Sequence, residues 1–171
     1  MSKVLQVLER DMWAGADGED EAGPFLLRFR TPVIGADETG DHQHNLTVLW
    51  PYADEDRLEL PEDDVSEAMN LFEDRLCAAW EEDGLAFLAA VLTFDGARQW
   101  VFYTRDVEEC GKRLEAMSHE EEQYPIELNS TEDPRWEYVR EDILGAIGWQ
   151  EHQADWEAAL LSDDPEDDVS E

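Results

Sequence analysis

Residues 64–83 carry the clearest pattern in the chain. Val65, Ala68, Met69, Phe72, Leu76, Ala79 and Trp80 recur at three- and four-residue steps, which places them on one face of a helix. Asp64 with Glu67 three residues later resembles a capping box, and Gly84 stands where a glycine ends a helix. A second stripe, Val107, Cys110, Leu114 and Met117, predicts a helix over 106–118 with Asp106 and Glu109 at its start. A third begins at Pro134 and puts Trp136, Val139, Arg140, Ile143, Leu144 and Ile147 on one side before Gly148 ends it. Residues 1–13 carry a weaker helical pattern through Val4, Leu8 and Met12.

Elsewhere the period is two. Residues 25–30 alternate from Leu27 onward, and 45–50 alternate Leu46, Val48 and Trp50 before Pro51 closes the run. Residues 85–94 are apolar but for Thr93, the composition of a strand covered on both faces. Asp95-Gly96-Ala97 predicts a hairpin turn into a further strand over 99–104, and Tyr124, Ile126 and Leu128 predict a last one. The acidic, glycine-containing stretch 15–23 and the Pro- and Gly-bearing stretch 31–44 predict loops.

From 45 to 128 the order is strand, helix, strand, strand, helix, strand. It predicts an α+β domain over residues 1–148: a ferredoxin-like antiparallel sheet with a βαββαβ core, an extra N-terminal strand and one or two C-terminal helices. Residues 149–161 fit a helical extension through His152, Trp156 and Leu160. The last segment, 162–171, has six acids in ten residues and is expected to be a disordered acidic tail. One tension remains in this arrangement. The strand over 85–94 would lie at a sheet edge, where two apolar faces invite aggregation. The strand at 25–30, the helix from 134 or a second copy of the chain must cover it, so a homodimer is one expectation.

Charge changes the picture most. The 171 residues include 45 Asp and Glu against 12 Lys and Arg, a net of −33, and only Lys3 and Lys112 are lysines. With 42% hydrophobic residues and seven tryptophans, the chain has a core wrapped in carboxylates rather than being a disordered acidic segment. Such a surface repels anionic lipid and nucleic-acid phosphates, so direct binding to membrane or nucleic acid is not expected. Nor does the sequence carry a secretory signal pattern or an apolar run long enough to span a bilayer. The expected location is the cytoplasm, with Cys77 and Cys110 as buried thiols in amphipathic helices.

No nucleophile elbow, P-loop, dinucleotide fingerprint or HExxH motif is present, so no enzyme is expected and no catalytic residue is assigned. Asp41, His42 and His44 offer metal-capable groups in one loop. A stable site needs three or four ligands with a second shell, and polar turn residues are the simpler reading. Neither a metal nor a cofactor is therefore expected.

Four motifs occur in order: LFEDRL at 71–76, RQWVFYTRD at 98–106, YPIE at 124–127 and DPRWEY at 133–138. Together they resemble the bacterial domain-of-unknown-function 695 family over roughly residues 25–145. The resemblance implies an α+β domain with no established activity. Some members are associated with a domain similar to the acidic regulator of ribonuclease activity B, which by analogy implies inhibitory binding to a nuclease.

In the predicted topology the loop after the 45–50 strand, the hairpin tip and the loop after the second helix emerge at one end of the sheet. Asp54, Glu55, Asp56, Glu62, Asp63, Asp64, Asp95, Glu120, Glu121 and Glu122 would crowd there. Acids at 62–64 suit a helix N-terminus, but Glu120–Glu122 follow a helix C-terminus, where the dipole disfavours them. That end is the expected site for a basic protein partner, a nuclease or toxin domain for an immunity protein or ribonuclease regulator, with Trp149 and Trp156 as aromatic anchors. Two other readings compete. One is a housekeeping domain with halophilic acidity, and the other an unrecognised enzyme or sensor that binds a small molecule.

Overall fold

The computed structural model describes residues 3–20, 23–31, 33–52, 63–94, 96–118 and 126–145. Two compact units divide the chain, Met1–Trp136 and Glu137–Glu171. Among the described residues of the first, six strands form one antiparallel sheet: β1 (Met12–Asp20), β2 (Gly23–Thr31), β3 (His44–Pro51), β4 (Ala86–Phe94), β5 (Ala97–Thr104) and β6 (Glu127–Glu132). Their spatial order is β1-β2-β4-β5-β3-β6. Among the described residues three helices accompany them, α1 (Lys3–Arg10), α2 (Asp63–Glu81) and α3 (Val107–Ser118). The class is α+β, and β3-α2-β4-β5-α3-β6 gives the inner order β4-β5-β3-β6 expected of a βαββαβ core.

The helical stripe of α2 delivers Met69, Phe72, Leu76 and Trp80 into the core, all at most 1% exposed. They meet Leu46, Val48 and Trp50 of β3 and Trp100 and Phe102 of β5, and Cys110 of α3 joins the same cluster. Edge-to-face rings hold this layer: Trp50 against Phe72 at 5.5 Å, Phe72 against Trp100 at 5.1 Å and Trp80 against Phe102 at 4.7 Å. The end of α2 behaves as its sequence indicates, with Gly84 at φ +77°. At α3, the Asp106 carboxylate accepts the Glu109 amide at 3.1 Å. Arg113 then ties α3 to α2, donating to both carboxylate oxygens of Asp83 at 3.0 and 2.9 Å.

On the opposite face of the sheet, residues 133–136 and the loop before β3 cover Tyr103. Trp136 stacks on Tyr103 of β5 at 4.2 Å and donates its indole N–H to the His42 carbonyl at 2.6 Å. Tyr103 donates to Asp133 at 2.8 Å, and Thr39 donates to the Pro134 carbonyl at 2.7 Å. These bonds join the loop before β3 to residues 133–136.

Three sequence expectations are revised. The stretch 15–23, expected as a loop, largely lies in β1, which pairs with β2 from Met12 opposite Thr31 to Asp20 opposite Gly23. As an outer strand it has one paired edge, and acid and glycine are tolerated there. The strand expected from Tyr124 instead runs Glu127–Glu132 and is exposed throughout. The helix expected from Pro134 is, among the described residues, a π-type turn over Tyr138–Ile143. Trp136 interrupts any earlier start, because its φ is +57°, outside the helical region.

The covering of β4 is resolved by β2. Phe25 lies opposite Phe94 and Phe29 opposite Ala90, so the strand is interior to the sheet. Of the second unit, 137–145 are described, with Val139, Ile143 and Leu144 buried. The expected extension at 149–161 and the acidic tail at 162–171 lie outside the described residues.

Candidate functional site

Strand register places several chain ends together. β3 ends at Pro51 opposite Ala97, β4 ends at Phe94 opposite the same residue, and β6 begins at Glu127 opposite Leu49. The Tyr52 amide donates to the Gly96 carbonyl at 2.8 Å across that end. Asp63 and Asp64 are exposed in the first turn of α2, where a helix N-terminus favours negative charge, and Asp64 accepts the Val65 amide at 2.9 Å. Asp54, Glu55, Asp56, Glu62, Asp95, Glu120, Glu121, Glu122, Trp149 and Trp156 lie outside the described residues. Two of the twelve expected site residues are thus placed by the structure.

The arginines explain where positive charge goes. Arg30 is 6% exposed on β2. One terminal nitrogen donates to Glu81 at 2.8 Å and to the Leu88 carbonyl at 3.2 Å, and the other donates to Asp11 at 2.7 Å. Its guanidinium lies 4.7 Å from the Trp13 ring centroid. Burial works against this cation, but the hydrogen bonds and charges of Glu81 and Asp11 outweigh it and raise its pKa. In return the Arg30 hydrogen bond lowers the Asp11 pKa.

Arg28 donates to Glu73 at 2.7 Å, and Arg105 donates to the Gly84 carbonyl at 2.7 Å. Arg113 holds Asp83 down to about 2 through its hydrogen bonds. Arg98, 7% exposed, donates to Thr93 at 2.8 Å and Asn70 at 3.0 Å. Five arginines of the first unit are therefore turned to acceptors within it, while Glu67, Asp74, Glu82, Glu108, Glu127 and Glu132 stand exposed. Sequence reading passes over Arg28 and Arg30, and weighs Arg98 only as a charge opposing the acidic end. Their signal was phase: Arg98 falls in step with Trp100 and Phe102, positions that point into the core.

His42 is buried, and its Nε2 donates to the Gly84 carbonyl at 2.8 Å, the tautomer that a carbonyl partner requires. Burial lowers its pKa. His44, in β3, lies opposite Thr104 and Glu132. No cluster of three metal-capable side chains occurs among the described residues. Burial raises the Cys77 pKa and pushes the Cys110 thiol up to about 11, so both are poor nucleophiles at neutral pH. No helix among the described residues is long and apolar enough to cross a membrane.

The fold and its polar wiring define an α+β domain in which five arginines bond to acceptors of the first unit while many carboxylates stand exposed. By sequence it belongs to the family of unknown function DUF695, whose model matches residues 13–142, more than half of the chain. No curated protein and no solved structure matches it.

Proposed function

We propose that this protein is a non-enzymatic acidic binding protein that docks onto and neutralises a basic protein, a nuclease. The observation that carries this reading is the net charge of −33. The inward bonding of the arginines supports it, because cations engaged with internal acceptors leave the outer carboxylates less compensated. Complementary potentials of this size steer encounter and raise association rates by about 10–10³-fold. A nucleic-acid cleft is a strongly cationic concavity that such a surface could fill, and it would be blocked by occupancy alone, without chemistry.

The test is titration of the full chain with a basic ribonuclease in low and moderate salt. One variant reverses Asp54–Asp56 and Glu120–Glu122 to lysine, and a second reverses the same number of exposed acids elsewhere, Glu9, Asp74, Glu82, Glu108, Glu115 and Glu132. Loss of about tenfold or more in affinity is expected from the first variant alone, with a steep fall on adding salt. Equal losses from both would make the attraction a general charge effect. Affinity unchanged by the first would remove the proposed docking end.

A further inference from the structure

On the helix-bearing face of the sheet, beside α2, strands β1, β2, β4 and β5 border a groove of about 340 Å³. Leu26, Val91 and Ala16 give it apolar walls, and Gly15, without a side chain, leaves room between them. Two guanidiniums, Arg28 and Arg98, line the same groove. Arg98 is the unusual one. It is 7% exposed, and the acceptors of its Nε and Nη1 are a hydroxyl and an amide, neither of them charged. Among the described residues it forms no ion pair. The carboxylate bordering the pair, Glu73, already receives Arg28 at 2.7 Å and the Trp100 indole at 3.0 Å on one oxygen.

A buried cation with neutral partners is costly. Burial first, with Glu73 opposing and Arg28 adding its like charge, holds the Arg98 pKa below the ordinary arginine value. In a chain with 45 Asp and Glu residues, none of the described carboxylates bonds to it, and Glu73 acts on it only through space.

We propose that this groove binds a small monocarboxylate with an apolar body. Arg98 and Arg28 receive the carboxylate, and the hydrocarbon lies along Leu26 and Val91. Each part of that ligand answers a feature of the site. Guanidinium geometry matches a carboxylate, the apolar walls match a hydrocarbon, and the volume sits at the lower end of the roughly 300–1,000 Å³ of ligand pockets. The net charge of −33 selects the ionisation state, since repulsion from the whole molecule grows with each charge an anion carries and penalises phosphates most. This site is independent of the docking reading, which concerns other residues and a macromolecule.

Calorimetric titration of the full chain with phenylacetate, phenylacetamide and inorganic phosphate tests it. Saturable binding of phenylacetate is expected, about tenfold or more tighter than that of the neutral amide, with phosphate weaker than phenylacetate. Arg98→Met should cost phenylacetate about the same factor while leaving amide binding unchanged. Gly15→Leu should weaken both ligands, because a Cβ there meets only the Leu27 carbonyl at 3.5 Å and the larger side chain would extend into the groove. The proposal is overturned by equal binding of acid and amide, by tighter binding of phosphate, or by phenylacetate binding that survives Arg98→Met. Absence of saturable binding by phenylacetate up to about 10 mM also overturns it, and needs no variant to be read.

Discussion

His42 is the residue whose sequence context misleads most and whose surroundings say most. In a row of Asp-His-Gln-His it reads as a metal ligand or a turn residue, yet it is a buried strut. Its ring donates to the Gly84 carbonyl, while its own carbonyl accepts the Trp136 indole. Burial lowers its pKa, so the unfolded chain, with a histidine near 6.5, takes up a proton more readily than the folded one. The stabilising contribution is therefore whole above about pH 6.5 and is lost as pH falls toward the folded-state value. His42→Gln keeps an N–H donor without the titration. In urea unfolding at stepped pH, the stability advantage of the native chain over this variant should shrink between about pH 7 and 5. A constant difference would mean that the ring does not titrate with folding. The comparison also cancels the effect of the many carboxylates, which titrate alike in both proteins.

At the scale of elements, the joint between α2 and β4 rests on backbone geometry. Gly84 holds φ at +77°, and a Cβ there would sit 2.7 Å from the Leu5 Cδ2 atom of α1. Leu5 can swing away, but the dihedral cannot, so Gly84→Ala should cost about 1–2 kcal/mol in chemical denaturation. Most of that cost should persist in a Leu5→Ala background. Full recovery there would make the cost steric rather than conformational. This glycine was legible, as were α2, α3 and strands β2 to β5, because burial imposes a period on the residues it selects. β1 was not legible. Its stretch from Gly15 to Asp20 is dominated by glycine and acid, and its strand character comes from pairing with β2 rather than from its own side chains. The third helix was misread for the opposite reason. Its apolar positions fit a helical stripe, but Trp136 is held by stacking on Tyr103 in a left-handed conformation that no periodicity encodes. The arginine groove escaped notice because a guanidinium in step with core positions resembles an interruption of the pattern rather than a part of it.

For the whole molecule, the decisive quantity is self-repulsion. A net charge of −33 destabilises any compact state, and added salt relieves it. Between roughly 0.01 and 0.15 M salt the screening length falls from about 30 to 8 Å. The unfolding temperature should climb across that interval and flatten beyond it. A cooperative transition is expected even at the low end, since the tryptophan-rich layer under α2 does not depend on ions. Loss of that transition in dilute buffer would favour a halophilic origin for the acidity over a docking role. A different consequence concerns synthesis. The β1–β2 hairpin leaves the ribosome before its seat, β4, where Phe25 meets Phe94 almost seventy positions later. The nascent hairpin must therefore wait with the β2 edge as well as the outer edge of β1 open until the rest of the sheet arrives. A carboxylate- and glycine-rich β1 keeps the outer of those two edges from pairing with neighbouring chains on the same messenger.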